Sequence, residues 1–169
     1  MQKMSENEIV PARPDNVVTW LATKKQELGM ALGKAIPQDY FLRCAATAIR
    51  RVPALAKCNR TSLWMAIFES AQCHLPVGDG THRSCIVPYK GEAQFQIQYE
   101  GLTDLAYRSG QVKSLAAEVV YPEDKFRWNG PSRPVEHEPP WDGDQDIEKA
   151  LGAYAQAEML NGGWRTVRM

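Results

Sequence analysis

The sequence predicts an α+β protein in which helices come first and a mainly antiparallel β-sheet, crossed by one helix, follows. Apolar residues recur at helical spacing as far as about residue 80, and the period then changes to the alternation that is typical of strands. With 169 residues, 44% of them hydrophobic, the chain is long enough to bury one core. We therefore expect a single domain.

The chain is predicted to consist of a flexible arm and that one domain. Residues 1–16 show no periodicity, mix charges and contain two prolines, which is typical of a mobile segment. Residues 17–169 form the domain, with a helical half over 17–80 and a sheet half over 81–169.

Three helices are predicted in the helical half. The first covers residues 17–34 and the second covers 39–51, where Pro53 forces the end. Thr61 or Ser62 is expected to cap the third helix, because a side-chain oxygen can accept a hydrogen bond from a free helical N–H.

The sheet half begins with a predicted hairpin. Residues 94–99 alternate between glutamine and an apolar or aromatic side chain, which indicates a half-buried strand. Residues 85–89 are its expected partner, joined through 90–93, and Pro88 favours an edge position because proline donates no hydrogen bond.

A short helix and further strands complete the predicted order. The helix covers residues 101–108, with Leu102 among its inward side chains, and ends at Gly110. A strand over 112–121 follows. After it come a long Pro-rich loop over residues 129–146 and a hairpin of residues 150–159 with 164–169.

The net charge is zero, but the two signs are separated along the chain. Residues 40–68 contain no acid, whereas residues 134–148 contain no lysine or arginine. The basic stretch is what a polyanion site requires, although two solvated faces of opposite sign would give the same pattern.

Composition also bears on the compartment. The chain begins without the apolar core of a secretory signal and has no apolar run long enough to span a membrane, so we expect it in the cytoplasm. The four cysteines are accordingly expected to be reduced and mostly buried thiols.

The sequence offers little support for catalysis, and we expect neither a metal nor a cofactor. Cys73–His74 and His82 with Cys85 do not have the spacing of a zinc module. There is no phosphate-binding Gly-rich loop with Lys-Ser/Thr. The acidic residues of 134–148 leave open a metal-dependent nuclease, and a structural protein whose basic stretch has no role in binding is a further alternative.

The basic and aromatic residues of the chain fit a groove for single-stranded nucleic acid better than they fit a catalytic or metal site. Such sites combine cations that follow the phosphates with rings that stack on bases. The turn at residues 108–110 brings together a guanidinium, a hydroxyl and a backbone N–H. The candidate DNA-binding residues are Arg108, Ser109, Gly110, Lys113, Lys90, Tyr99, Arg50, Arg51, Lys57 and Arg127.

An ordered series of segments over residues 20–169 resembles the RecT family of phage and prophage single-strand DNA annealing proteins. The segments in order are residues 48–55 with Cys58, 62–75, 86–89, Tyr99 with Gly101, 105–110, 120–121, Asp124, Phe126, His137, Pro139, Tyr154 and 162–163. The chain departs from the family pattern at Glu100, where a basic residue is usual, and family members continue past the last predicted strand.

The resemblance implies ATP-independent annealing of complementary strands by an oligomer, a ring or a filament, in phage-type recombination inside a bacterial cell. It implies self-association through the helical half, a DNA groove in the sheet half, a partner 5′–3′ exonuclease, and a fold related to the eukaryotic ring-forming annealing proteins.

Overall fold

The computed structural model describes residues 14–143 and 146–169 and confirms the α+β class. The described chain divides into two compact units, with the boundary between Leu102 and Thr103. Most of the predicted arm lies outside the described residues. Its last three residues, 14–16, belong to the first helix.

Four helices build the first unit: α1 (Pro14–Thr23), α2 (Lys25–Leu32), α3 (Gln38–Arg51) and α4 (Arg60–Gln72). A 3₁₀ turn, Pro53–Lys57, follows α3, so the predicted end before Pro53 is confirmed. None of the helices in the described part of the chain is long and apolar enough to cross a membrane.

The prediction of one helix over residues 17–34 was wrong, because the chain breaks at Lys24. The Lys24 N–H donates to the carbonyl of Leu21, three residues back, at 3.0 Å. Its ψ angle of 8° also leaves the helical range. The segment therefore forms α1 and α2 with a tight turn between them.

The cap of α4 is Asn59, not Thr61 or Ser62. The Asn59 side-chain oxygen accepts the Thr61 N–H at 2.8 Å. The Ser62 hydroxyl donates instead to the Asn59 carbonyl and accepts the N–H of Ala93, each at 2.9 Å. Ser62 thereby ties the start of α4 to a strand.

The apolar core of this unit lies among the four helices and the first hairpin. The largest side chains that are essentially inaccessible to solvent include Phe41, Leu28, Leu63 and Ile67. Each contributes on the order of 1.5–3 kcal/mol through removal of its surface from water. This core positions α3, which carries the candidates Arg50 and Arg51.

The first hairpin has the predicted partners. Strand β1 (Ser84–Tyr89) pairs antiparallel with β2 (Glu92–Ile97). The turn is two residues long, not four: Lys90 and Gly91 have φ angles of 49° and 81°, as a tight hairpin with right-handed twist requires. Because the hairpin packs on the helices through Ile86 and Ala93, it belongs to the first unit, and the predicted division at residue 80 lies before the observed boundary.

Helix α5 (Tyr99–Arg108) begins earlier than predicted, so Tyr99 is helical and not part of a strand. A Cβ at Gly101 would lie 2.1 Å from the carbonyl oxygen of Arg83. The glycine is therefore the inward residue, and Leu102, which we expected inside, is 58% exposed because neighbouring helical residues point about 100° apart. The predicted end at Gly110 is confirmed, since its φ is 67°.

In the second unit, β3 (Val112–Val120), β6 (Gly152–Met159) and β7 (Trp164–Arg168) form an antiparallel sheet in the order β3-β6-β7. The predicted C-terminal hairpin is confirmed as β6–β7. The predicted loop over 129–146 contains a short strand, β5 (Glu136–Glu138), which pairs with β4 (Lys125–Arg127). The one predicted sheet is therefore three separate antiparallel sheets.

All four cysteines are free thiols, as expected. Cys44 and Cys58 are buried, and burial raises the pKa of both. Cys73 and Cys85 are half-buried. Because the thiolate is the reactive form, Cys44 and Cys58 are poor nucleophiles.

The segment after α4 returns to pack against α3 at Gly78. Its φ is 79°, and a Cβ there would lie 2.7 Å from the Cys44 carbonyl oxygen and 3.0 Å from the Ala48 nitrogen. Gly80 also has a positive φ, 86°, but faces open space. Both glycines therefore have a positive φ angle, but only Gly78 also lies too close to another part of the backbone to accept a Cβ.

Gly78→Ala is expected to lower the free energy of unfolding by roughly 2–5 kcal/mol, from left-handed strain and from overpacking against α3. Gly80→Ala, the matched control, is expected to lose only about 1–2 kcal/mol from strain. Urea denaturation of both variants measures the difference. Equal losses would show that the close approach to α3 costs nothing.

Candidate nucleic-acid interface

The donors of the predicted Arg108–Ser109–Gly110 turn already have partners within the second unit. Arg108 forms an ion pair with Asp104 at 3.2 Å. The Ser109 hydroxyl donates to the Ala106 carbonyl at 2.6 Å, and the Gly110 N–H donates to Tyr107 at 3.1 Å. The backbone N–H of Gly110, which we predicted as a phosphate donor, therefore already donates a hydrogen bond to the last turn of α5.

Other predicted cations of the second unit are also paired. Lys113 contacts Glu158 at 2.6 Å across β3 and β6, and Arg127 lies 3.9 Å from Glu136 across β4 and β5. Exposed pairs of this kind contribute only about 0–1 kcal/mol. A phosphate can displace such a carboxylate at small cost, so both residues stay candidates.

Two candidates in the first unit are exposed near the hairpin. Lys90 occupies the β1–β2 turn, where its ammonium lies 5.3 Å from the centre of the Tyr89 ring. Tyr99 is 74% exposed and donates its hydroxyl hydrogen to Glu100 at 2.5 Å. The ring of Tyr99 is thus exposed and available for stacking.

Three predicted cations of the acid-free stretch lie near the end of α3: Arg50, Arg51 and Lys57. All three are exposed, and within residues 14–143 and 146–169 none has an ion pair or a side-chain hydrogen bond. The local sequence explains this, because residues 40–68 include no carboxylate that could reach them by helical spacing. These three predicted cations are therefore exposed and without an acidic partner among the described residues.

Arg50 and Arg51 face different sides, as adjacent helical residues must. Arg50 lines a shallow cleft with residues of α1, including Val18 and Leu21. Arg51 lines another cleft with His82 and Cys85. The two guanidinium groups therefore serve separate surfaces of the same unit.

The acidic stretch is divided among several partners. Glu136 and Glu138 face Arg127 and Lys125 across β4 and β5. Asp146 accepts the Glu148 N–H at the start of a 3₁₀ turn, whereas Asp144 lies outside the described residues. Over the described ranges, no three His, Cys, Asp or Glu side chains are grouped so that they could hold a metal ion.

The second unit contains a cluster of side chains around the buried His137, which the sequence did not predict to be in contact. The His137 side chain is 3% exposed; its Nε2 lies 2.9 Å from Asp124 Oδ2, and its Nδ1 lies 3.0 Å from Glu118 Oε2 and 3.2 Å from the Tyr154 hydroxyl. Phe126 packs edge-on against the imidazole with ring centres 5.8 Å apart. The cluster borders a cleft of about 280 Å³.

The cluster fastens the β4–β5 hairpin to β3 and β6. Asp124 accepts the Tyr121 N–H at 2.7 Å in addition to its contact with His137. The Tyr121 N–H and His137 together hold the pKa of Asp124 below its ordinary value. Since the partners of His137 are two carboxylates and a phenol, without serine or cysteine, the geometry favours a structural pin over nucleophilic catalysis. The only sequence signal was the place of Asp124 and His137 in the family resemblance.

Comparison with known proteins agrees with that resemblance. The family model described as "RecT family" matches residues 39–169. Protein RecT of Escherichia coli (strain K12) is 33% identical over 148 residues, which cover 82% of this chain and 54% of that protein. The uncharacterized protein YqaK of Bacillus subtilis (strain 168) is 32% identical over 118 residues, 67% of this chain and 39% of that protein. The chain thus spans about half the length of the first relative, or less of the second.

The lowered pKa of Asp124 predicts an acid-sensitive stability. A depressed carboxyl pKa stabilises the fold above the unfolded value of about 3.9, and this contribution is lost as pH falls through the folded value. Asp124→Asn should therefore have a lower urea midpoint at pH 7 and a smaller loss of stability towards pH 3 than the wild type. Asp142→Asn, which removes an exposed carboxylate, is the control and should retain both wild-type behaviours. A wild-type acid limb in Asp124→Asn would contradict the assignment.

Proposed function

Because the chain belongs to the RecT family, we propose that it binds single-stranded DNA and anneals complementary strands without ATP, as a recombination protein. The observation in the fold that supports this most is that Arg50, Arg51 and Lys57 are exposed and have no acidic partner among the described residues. A neutral chain binds a polyanion most readily where its cations are not already paired with its own acids.

The physics of annealing fits this arrangement. Two complementary strands pair readily when the protein holds the sugar-phosphate backbones and leaves the base edges exposed. Cations on an exposed helix end supply such contacts without reading sequence. The exposed rings of Tyr89 and Tyr99 add surfaces for sequence-tolerant stacking in the same unit.

The alternative of a metal-dependent nuclease receives less support. It requires carboxylates held together on rigid elements. In the described part of the acidic stretch, Glu136 and Glu138 instead face cations of β4. We infer that the protein acts through binding and not through bond cleavage.

We further infer that the protein works as an oligomer in the bacterial cytoplasm, supplied with single strands by a 5′–3′ exonuclease. The separation of a basic stretch (40–68) from an acidic one (134–148) gives neighbouring copies complementary charges. An array of copies along one strand also multiplies weak contacts into high avidity.

Mixing complementary labelled oligonucleotides with the protein, without ATP, tests the proposal. Duplex formation should accelerate. The three uncompensated cations alone should lower single-strand affinity per protomer roughly twentyfold between 50 and 200 mM salt, from a slope of about −0.7 per phosphate contact, and each further contact steepens the slope. Strand cleavage that depends on a divalent ion would instead identify the nuclease.

The paired cation Lys113 allows a matched test within the second unit. Lys113→Ala should weaken single-strand binding and reduce the magnitude of the salt slope by about 0.7, because one phosphate contact is lost. Glu158→Gln keeps the cation and removes its competitor, so it should bind at least as tightly as the wild type. Equal affinity of the wild type and Lys113→Ala would remove Lys113 from the interface.

A further inference from the structure

A cleft of about 170 Å³ lies in the first unit, between the end of α3 and the segment that leads into β1. Leu55, Val77 and Ile86 provide an apolar floor, and Val52, which is 37% exposed, stands at its edge. Arg51 and His82 line the same cleft and are both exposed. The cleft thus combines an apolar floor with a basic rim.

The polar side chains of the rim remain available to bind a ligand. Over the described ranges, neither Arg51 nor His82 has a side-chain hydrogen bond or an ion pair. Asp79 also lines the cleft, but its carboxylate accepts from the Thr81 N–H and hydroxyl and pairs with Arg83 at 3.1 Å. The charge that remains for a ligand is therefore positive.

The backbone holds His82 in an uncommon conformation at this rim. Its φ is 56°, in the left-handed region that few residues other than glycine adopt. The flanking side chains fix this turn, since Arg83 Nε donates to the Thr81 hydroxyl at 2.9 Å and Thr81 donates to Asp79. Such conformations persist where surrounding contacts impose them, and they cluster at ligand sites.

The size of the cleft restricts its occupant. It is far larger than one water, which takes about 30 Å³, and smaller than the roughly 300–1,000 Å³ of sites for whole drug-sized ligands. An apolar floor selects a flat or aliphatic group, and a basic rim selects an anion beside it. A single nucleotide carries both parts.

We propose that this cleft binds one nucleotide of single-stranded DNA, with the base against the apolar floor and its phosphate between Arg51 and His82. This proposal rests on the proposed function and assigns a subsite to it. The floor residues Leu55, Val77 and Ile86 present no side-chain donor or acceptor, so the floor itself does not distinguish one base from another. The neighbouring bases stay outside the cleft and remain able to pair.

The first test compares an oligo-dT strand with an abasic strand of the same length. Val52→Trp fills the cleft from an exposed position and should reduce the preference for oligo-dT at least fivefold. Arg51→Ala should reduce the magnitude of the salt slope by about 0.7. Lys34→Ala removes an exposed cation that does not line the cleft, and it should retain the wild-type preference for oligo-dT.

A second test uses the half-buried Cys85, which lines the cleft. In a Cys73→Ser background, oligo-dT should slow maleimide labelling of Cys85, whereas the abasic strand should protect it less. Labelling kinetics report occupancy directly, and circular dichroism verifies that each variant is folded.

The two tests distinguish failure of the proposed nucleotide subsite from failure of the proposed annealing function. If the wild type binds and anneals strands while Val52→Trp keeps the full preference and Cys85 is not protected, the subsite is overturned and the proposed function stands. If the wild type binds no single strand, the proposed function itself fails. If Val52→Trp or Arg51→Ala changes the sedimentation of the DNA-free protein, the cleft serves contact between copies, and the nucleotide proposal is overturned.

Discussion

Charge compensation is the constraint on which the proposed binding surface of this protein depends. The chain is neutral, with twenty basic and twenty acidic side chains, so each carboxylate that pairs internally competes with a ligand for a cation. In the second unit Lys113 and Arg127 are matched by acids on facing strands. At the end of α3 the sequence supplies no acid, and Arg50 and Arg51 are exposed without an acidic partner among the described residues. The position of the acids along the chain, more than that of the cations, therefore determines which cations remain unpaired.

Most elements of the fold could be predicted because their apolar periods are long. The exceptions have local physical causes that periodicity does not register. Val17, Leu21, Leu28 and Leu32 are all buried, and their spacing runs unbroken through a turn that changes one backbone hydrogen bond at Lys24. Strand β5 has only three residues, too few for an alternation to be visible. Its formation depends on pairing with β4, which lies beyond a Pro-rich segment.

The sequence suggests which residue types the candidate site contains, but it could not predict whether those residues are paired with acids. Lys113 and Glu158 are 45 positions apart and meet only because β3 and β6 are neighbours in that register. The same limit concealed the cluster at His137, whose partners come from three separate segments. Arg50 and Arg51 were predictable as a pair with divergent directions, since helical geometry alone dictates that divergence.

The turn fixed by Asp79, Thr81 and Arg83 has a consequence for the thermodynamics of association. A long flexible side chain or a loop that orders on binding loses conformational entropy, at about 0.5–1.5 kcal/mol for each immobilised side chain. The backbone that presents His82 is already ordered by hydrogen bonds within the turn. The conformational entropy of this turn is therefore lost when the chain folds, and binding of a ligand does not reduce it further. A surface built in this way retains more of its contact energy as affinity.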